Sequence, residues 1–182
     1  MRKTTFVRDF ERGRIFVRDA VNEIIPELEG IFEVLSIRPL WIGAMAVGMI
    51  VKPVLTFDMD ILLSKEDFLK LKREGNKFGI KYKGAGDFRF KGEILECIVE
   101  GERMDDYTAP PPDAIRKKGF MPSIEGLFLL KTMHLYPRDR EHLARLYEFN
   151  KPDEFKLKNL TDCYGDEKLW KRYLQLKSFW EI

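Results

Sequence analysis

In the stretch LTFDMDILL (residues 55–63), two carboxylates interrupt a segment that otherwise has the composition of a buried β-strand. Asp58 and Asp60 are two residues apart, so on a strand they project from one face, about 6.5–7 Å apart, while Phe57, Met59 and Ile61 face the core. Repulsion between two like charges costs stability unless a positive group lies between them, and a divalent metal ion commonly fills that role. The alternative is a solvated pair of charges at a sheet edge.

Composition limits the class of protein. The 182 residues suffice for one domain with a core, or for a domain with a small helical appendage. The net charge of +2 indicates no particular charged partner. Cys97 and Cys163 lie far apart without CxxC spacing, which predicts buried thiols in a reducing compartment. Because no apolar run approaches ~20 residues and Met1-Arg2-Lys3 leads into charged sequence, we expect a cytoplasmic protein without a membrane span.

The hydrophobic pattern predicts an α/β (α+β) fold in which helices flank a mixed sheet. Helical spacing runs through residues 4–37, where Pro26 is expected to kink or divide the helix. The Gly/Ala/Met segment 43–50 predicts a second helix, and Ser64 is expected to cap a third. Strands are expected at residues 39–43, 55–63 and within 79–108, with a turn at Gly92.

The chain becomes predominantly helical after residue 123, with helices expected over 124–135 and 138–150 and one or two more towards the end. The pattern predicts an α/β core with an N-terminal helix over residues 1–120. A C-terminal helical region, residues 121–182, is expected to pack on that core. His134 and His142 are expected to be partly exposed on these helices, because neither has metal-ligand spacing to the other or to a cysteine.

The segment WIGAMA (residues 41–46), followed by TFDMDILL (residues 56–63), resembles the nucleotidyltransferase superfamily with the DNA polymerase β-like fold. More narrowly, it is similar to small prokaryotic nucleotidyltransferases, which include toxin–antitoxin and abortive-infection components. Their pattern is a strand, a Gly-Gly or Gly-Ser pair that opens a helix, and a strand with Asp-x-Asp. The resemblance covers residues 38–100 and extends more loosely through Pro122-Ser123, Lys131 and Arg138-Asp139.

The resemblance implies a site with two Mg²⁺ or Mn²⁺ ions, in which Asp58 and Asp60 are metal ligands and a third carboxylate comes from a later strand. Two such ions, about 3.5–4 Å apart, can hold the attacking and leaving oxygens of nucleotidyl transfer. Glu96 is the best candidate for the third ligand, because a charge between Ile94 and Ile98 on one strand face is unusual. It departs from the aspartate expected in the family. Glu93 and Glu100 are alternatives.

Gly43 and Ala44 are expected to receive the phosphates of a nucleoside triphosphate, since a helix N-terminus offers unpaired N–H groups and a partial positive charge. Ala44 departs from the Gly or Ser of the family. Lys131 either reaches the triphosphate as a point charge or extends to solvent. Arg138 is expected to pair with Asp139 or with phosphate.

These residues predict a metal-dependent nucleotidyltransferase of the 2.7.7 type, which moves a nucleoside monophosphate from a nucleoside triphosphate, for example ATP, to an acceptor hydroxyl on protein, RNA or a small molecule. Glu96 would complete the site and help to activate the acceptor. The alternative is a catalytically weak binding or regulatory module of the same fold, such as a toxin–antitoxin component, acting as a homodimer or with a partner protein. A phosphodiesterase or nuclease using the same carboxylates is a third hypothesis.

Overall fold

The computed structural model describes residues 23–51 and 59–181. Asp58, together with Thr56 and Phe57, lies outside the described residues, so the predicted ligand role of Asp58 stays a prediction. The described residues form a five-stranded mixed sheet in the order β1-β2-β5-β4-β3. Its strands are β1 (Leu40–Trp41), β2 (Met59–Leu63), β3 (Lys81–Gly84), β4 (Asp87–Phe90) and β5 (Glu93–Val99). Strands β2 and β5 are parallel, and the other neighbours are antiparallel.

The register of the three central strands puts an apolar row and a row of carboxylates on opposite faces of the sheet. Met59 on β2 pairs with Leu95 on β5, which pairs with Phe88 on β4, and all three are buried. One position along, Asp60 pairs with Glu96, which pairs with Asp87. Because neighbouring positions on a strand face opposite sides, these carboxylates, here called the carboxylate row, share the face opposite the apolar row.

The helices before and between these strands follow local sequence signals. Helix α1 (Ile25–Val34) has Pro26 in its first turn, where the missing N–H costs nothing. The expected helix over residues 4–37 lies partly outside the described residues, so its division or kink at Pro26 stays a prediction. Helix α2 (Gly43–Ile50) contacts β2. Helix α3 (Lys65–Glu74) begins after Ser64, whose hydroxyl accepts the Asp67 N–H at 3.1 Å as predicted. The Phe68 ring on α3 packs edge-on against Phe88, which closes the apolar face of the sheet.

The remaining chain is mainly helical. Two small hairpins, β6 (Arg103–Met104) with β7 (Tyr107–Thr108) and β8 (Arg116–Lys118) with β9 (Met121–Pro122), flank the short helix α4 (Pro112–Ile115). The helices that follow are α5 (Ile124–His134), α6 (Pro137–Phe149), α7 (Glu154–Tyr164) and α8 (Glu167–Trp180). Helices α5 and α6 both contact α2.

The predicted mixed α/β fold is therefore confirmed, and the boundary near residue 120 stays a prediction. One hydrophobic core includes residues of the sheet, of α2 and of α5. Two expectations about burial are wrong: Cys163 is exposed, although Cys97 is buried, and His142 is buried. Within the described parts of the chain, no helix is long and apolar enough to cross a membrane.

Candidate active site

The junction of Gly43 and Asp60 is the tightest feature of the site. The backbone N–H of Ile42 donates to the Asp60 carbonyl oxygen at 2.9 Å, which holds the start of α2 against β2. Gly43 has φ +63°, and a Cβ added to it would lie 1.7 Å from Oδ2 and 2.6 Å from Cγ of Asp60. Only glycine provides both the backbone conformation and the space. The Asp60 carboxylate is thus packed against the N-terminal residue of a helix.

Glu96 lies next to Asp60 on the neighbouring strand. The two residues are register partners in the parallel β2–β5 pair, so their backbones are about 4.8 Å apart and their side chains share one face. Ile94 on the same face is exposed and Ile98 is half-buried, so this face is open beside Glu96. Asp87, on the other side of Glu96, is a carboxylate that sequence reasoning missed, because its register with Glu96 depends on where the β4–β5 turn falls.

A cavity of about 400 Å³ brings the candidate residues together, and its volume falls in the range of small-molecule sites. Its sheet side includes Gly43, Ala44, Asp60 and Glu96. One face of α5 forms the other side, at a spacing of three and four residues: Leu127, Leu130, Lys131 and His134. Arg138, Asp139 and His142 of α6 line it as well. Asp87 does not line this cavity.

Lys131 is held by Asp139, which lies in the first turn of α6. Its Nζ donates to Asp139 Oδ1 at 2.5 Å, and both side chains are almost fully buried, with exposed fractions of 11% and 8%. The other carboxylate oxygen, Oδ2, accepts the Tyr136 backbone N–H at 3.0 Å. Of the two alternatives for Lys131, extension to solvent is therefore excluded: its ammonium group is buried in the cavity wall, with Asp139 as its counter-ion.

The charge state of Asp139 follows from its neighbours. Burial alone would raise the pKa of this carboxyl, but His142 and Lys131 beside it outweigh burial and lower the pKa from 3.8 to about 2. A carboxyl whose pKa is lowered on folding stabilises the folded state above its unfolded pKa, and this contribution is lost as the pH falls through the folded pKa. Asp139 therefore contributes fully above about pH 4 and progressively less towards pH 2.

We expect Asp139→Asn to lower the free energy of unfolding at pH 7 by about 2 kcal/mol or more, because the pKa shift is worth about that much and Lys131 loses its buried partner. Urea unfolding of both proteins at pH 7, 5 and 3.5 tests this. The difference in the free energy of unfolding between the wild type and Asp139→Asn should be constant between pH 7 and 5 and should be smaller at pH 3.5. The surface variant Glu141→Gln on the same helix is the control and should change little. No difference at pH 7 would contradict the assignment.

Arg138 does not pair with Asp139, one of its two expected partners, and His142 is buried although partial exposure was expected. Arg138 is exposed, and no residue that the structure describes forms an ion pair with it, because Asp139 pairs with Lys131 instead. The Nδ1 atom of His142 is buried without a hydrogen-bond partner among the described residues, 3.9 Å from Asp139 Oδ1. Sequence reasoning missed His142, although its position three residues after Asp139 puts both on one helix face.

The side chains on the sheet side of the cavity are of the chemical type that binds a hard divalent cation. Asp60 and Glu96 supply carboxylate oxygens, which Mg²⁺ and Mn²⁺ prefer, and they sit on adjacent strands. Within residues 23–51 and 59–181, no group of three or more His, Cys, Asp or Glu side chains has the arrangement of a metal site. A complete site would therefore need a donor from elsewhere, and Asp58 is the sequence-predicted one.

Among the comparisons with known proteins, one solved structure supports the fold. No protein-family model and no curated protein matches the chain. A solution structure of the antibiotic-resistance factor ANT(2'')-Ia, a nucleotidyltransferase-fold enzyme, superposes with a TM-score of 0.55 at 12% identity, over 85% of this chain and 94% of that one. A crystal structure of ANT(2'')-Ia with adenylyl-2''-tobramycin gives 0.46 at 12% identity, over 86% and 97%. The chain thus has a nucleotidyltransferase-like fold.

Proposed function

We propose that this protein is a metal-dependent nucleotidyltransferase, which transfers a nucleoside monophosphate from a nucleoside triphosphate to an acceptor hydroxyl. The observation that carries the proposal is the contact between the Asp60 carboxylate and Gly43 at the start of α2. Through this contact, a carboxylate that can bind a metal ion lies beside a helix N-terminus that can bind phosphate. Both line one cavity with a buried lysine. Neither a passive sheet edge nor simple helix packing needs that combination.

Each residue has a part in the proposed reaction. Asp60 and Glu96, with Asp58 as the further predicted ligand, would hold Mg²⁺ or Mn²⁺, which when bound neutralises phosphate charge and orients the reacting oxygens. The free N–H groups at the start of α2, at Gly43 and Ala44, bind phosphate oxygens. Lys131 supplies a fixed positive charge in the cavity wall, and exposed Arg138 adds a second.

The chemical step is an in-line displacement at the α-phosphate. The acceptor hydroxyl oxygen forms a bond to the α-phosphorus, the bond from that phosphorus to pyrophosphate breaks, and Glu96 takes the hydroxyl proton on a carboxylate oxygen. Positioning and charge neutralisation supply most of the acceleration in such transfers, so few other groups are required.

Label transfer tests the proposal. The wild-type protein is incubated with α-³²P-labelled ATP, CTP, GTP or UTP, with Mg²⁺ or Mn²⁺, and with separate pools of protein, RNA and small polyhydroxyl acceptors. We expect metal-dependent transfer to one pool, and a loss of about 10²- to 10³-fold in Glu96→Gln. Glu93→Gln, on the opposite face of the same strand, is the matched control and should keep activity. Hydrolysis of nucleic acid without transfer would instead indicate the phosphodiesterase hypothesis.

A second candidate function is a binding or regulatory module, such as a toxin–antitoxin component with a partner protein. The ion pair between Lys131 and Asp139 favours it, because a lysine already neutralised by a buried carboxylate attracts phosphate less strongly. Ala44 also favours a binding module, because it lacks the hydroxyl that a serine at this position would offer to phosphate. This candidate predicts nucleotide binding without label transfer to any acceptor pool.

A further inference from the structure

Two aromatic rings are stacked at the wall of the cavity, where α5 ends and α6 begins. The rings of His134 and Tyr136 have centroids 5.6 Å apart and planes at 15°. Both residues line the cavity, and Tyr136 is 58% exposed. Imidazole thus packs beside one face of the phenol ring, while more than half of Tyr136 remains open to a ligand. We call this pair the aromatic platform.

The platform is held in place by bonds on both sides. His134 Nδ1 is 3.1 Å from Asp105 Oδ2, and the Tyr136 N–H donates to Asp139. Leu135 between them has φ +45°, a left-handed conformation that costs energy in a residue with a Cβ. The guanidinium of Arg172 donates to the Thr132 carbonyl oxygen at 2.9 Å, which satisfies the end of α5. An exposed ring is therefore kept in a strained, well-bonded turn.

His134 of the platform lies about one helical turn after the buried Lys131 on α5. His134 follows Lys131 by three residues on the cavity face of α5, which is about 4.5 Å along the helix axis. In a nucleotide, a single ribose joins the phosphates to a planar base. Lys131, His134 and Tyr136 line the same cavity, so a buried ammonium group and a stacking surface are both available to one nucleotide. Arg138, two residues after Tyr136, adds a positive charge on the same wall.

We propose that the aromatic platform binds the base of the nucleoside triphosphate, with Tyr136 stacking on the base and His134 supporting the ring from behind. This inference rests on the proposed function and adds a binding residue to it. Every base has an aromatic face, so stacking tolerates any base. The platform therefore contributes affinity for all four nucleotides and leaves the choice among them to other contacts.

Calorimetric binding of two probes tests the platform. ATP carries a base, and inorganic tripolyphosphate does not; both are titrated with Mg²⁺ into the wild-type protein, Tyr136→Ala and Tyr136→Phe. We expect Tyr136→Ala to weaken ATP binding by roughly 5- to 150-fold, the range for loss of one base–aromatic stack, and to leave tripolyphosphate binding unchanged. Tyr136→Phe should bind ATP like the wild type. Phe149→Ala, an equally exposed ring outside the cavity, is the control.

The possible outcomes separate the platform from the function on which it rests. Unchanged ATP binding in Tyr136→Ala, or equal weakening for ATP and tripolyphosphate, would overturn the platform and leave the proposed function standing. A wild-type protein that binds neither probe would overturn both. Since Tyr136 is largely exposed, thermal unfolding of the variants should match the wild type, and this measurement confirms that the loss is local.

Discussion

Asp60→Asn is expected to lower metal-dependent nucleotidyl transfer by about 10²- to 10³-fold or more, with the fold unchanged. Asparagine has nearly the same shape, so the contact with Gly43 is kept, but the negative charge that would hold a divalent ion is lost. The measurement is the initial rate of label transfer over a range of Mn²⁺ concentrations. Asp60→Asn should need more metal as well as react more slowly.

Asp87→Asn is the matched control for this prediction. Asp87 lies in the same carboxylate row, on the far side of Glu96, but it does not line the cavity. Its substitution removes the same charge from the same sheet face at a position outside the proposed site. An equal loss of transfer activity in both variants would mean that activity depends on the total charge of this sheet face. A metal site at Asp60 would then not explain the result. Full activity in Asp60→Asn would contradict the proposed ligand role.

Gly43→Ala is expected to remove most activity through sterics alone. The added methyl group would collide with Oδ2 and Cγ of Asp60, and Cβ of Asp60 would lie only 2.9 Å away, so rotation of the carboxylate cannot fully relieve the clash. The left-handed backbone at φ +63° adds about 1–2 kcal/mol of strain for alanine. We expect a loss of about 10²-fold or more in transfer, because a displacement of about 1 Å at a reacting centre has that effect.

Gly30→Ala separates the local effect from a general effect of alanine. Gly30 is exposed within α1, and an added Cβ there would meet nothing within 4 Å. This variant should gain up to about 1 kcal/mol of stability and keep full activity. Transfer rates and urea unfolding of both variants complete the comparison. A fully active Gly43→Ala would show that the close packing of Gly43 and Asp60 is not needed for function.

Much of the fold could be predicted because the signals are local. Ser64 caps α3 as a serine before an apolar helix pattern should, and the alternation around Met59 and Asp60 identified the two faces of β2. Glu96 was identified because its apolar strand neighbours make a charge conspicuous. The register then set it beside Asp60, which agrees with the predicted role but does not test that role.

The remaining features depend on tertiary contacts that spacing does not encode. The pairing of Lys131 with Asp139, instead of Arg138 with Asp139, follows from how α5 and α6 meet across the Leu135 turn. His142 is buried because α6 presents that face to the cavity. The stacking of Tyr136 on His134 likewise requires the left-handed turn between them. All three features depend on how the turn at Leu135 sets α6 against α5, and no periodic sequence pattern specifies the geometry of that turn.

A structure of the protein with Mn²⁺ and a nucleoside triphosphate that cannot be cleaved at the α-phosphate tests the central claim most directly. We predict anomalous density for Mn²⁺ bound by oxygens of Asp60 and Glu96, with phosphate oxygens at the N–H groups of Gly43 and Ala44. A triphosphate bound away from the start of α2, or manganese bound without Asp60, would contradict the account.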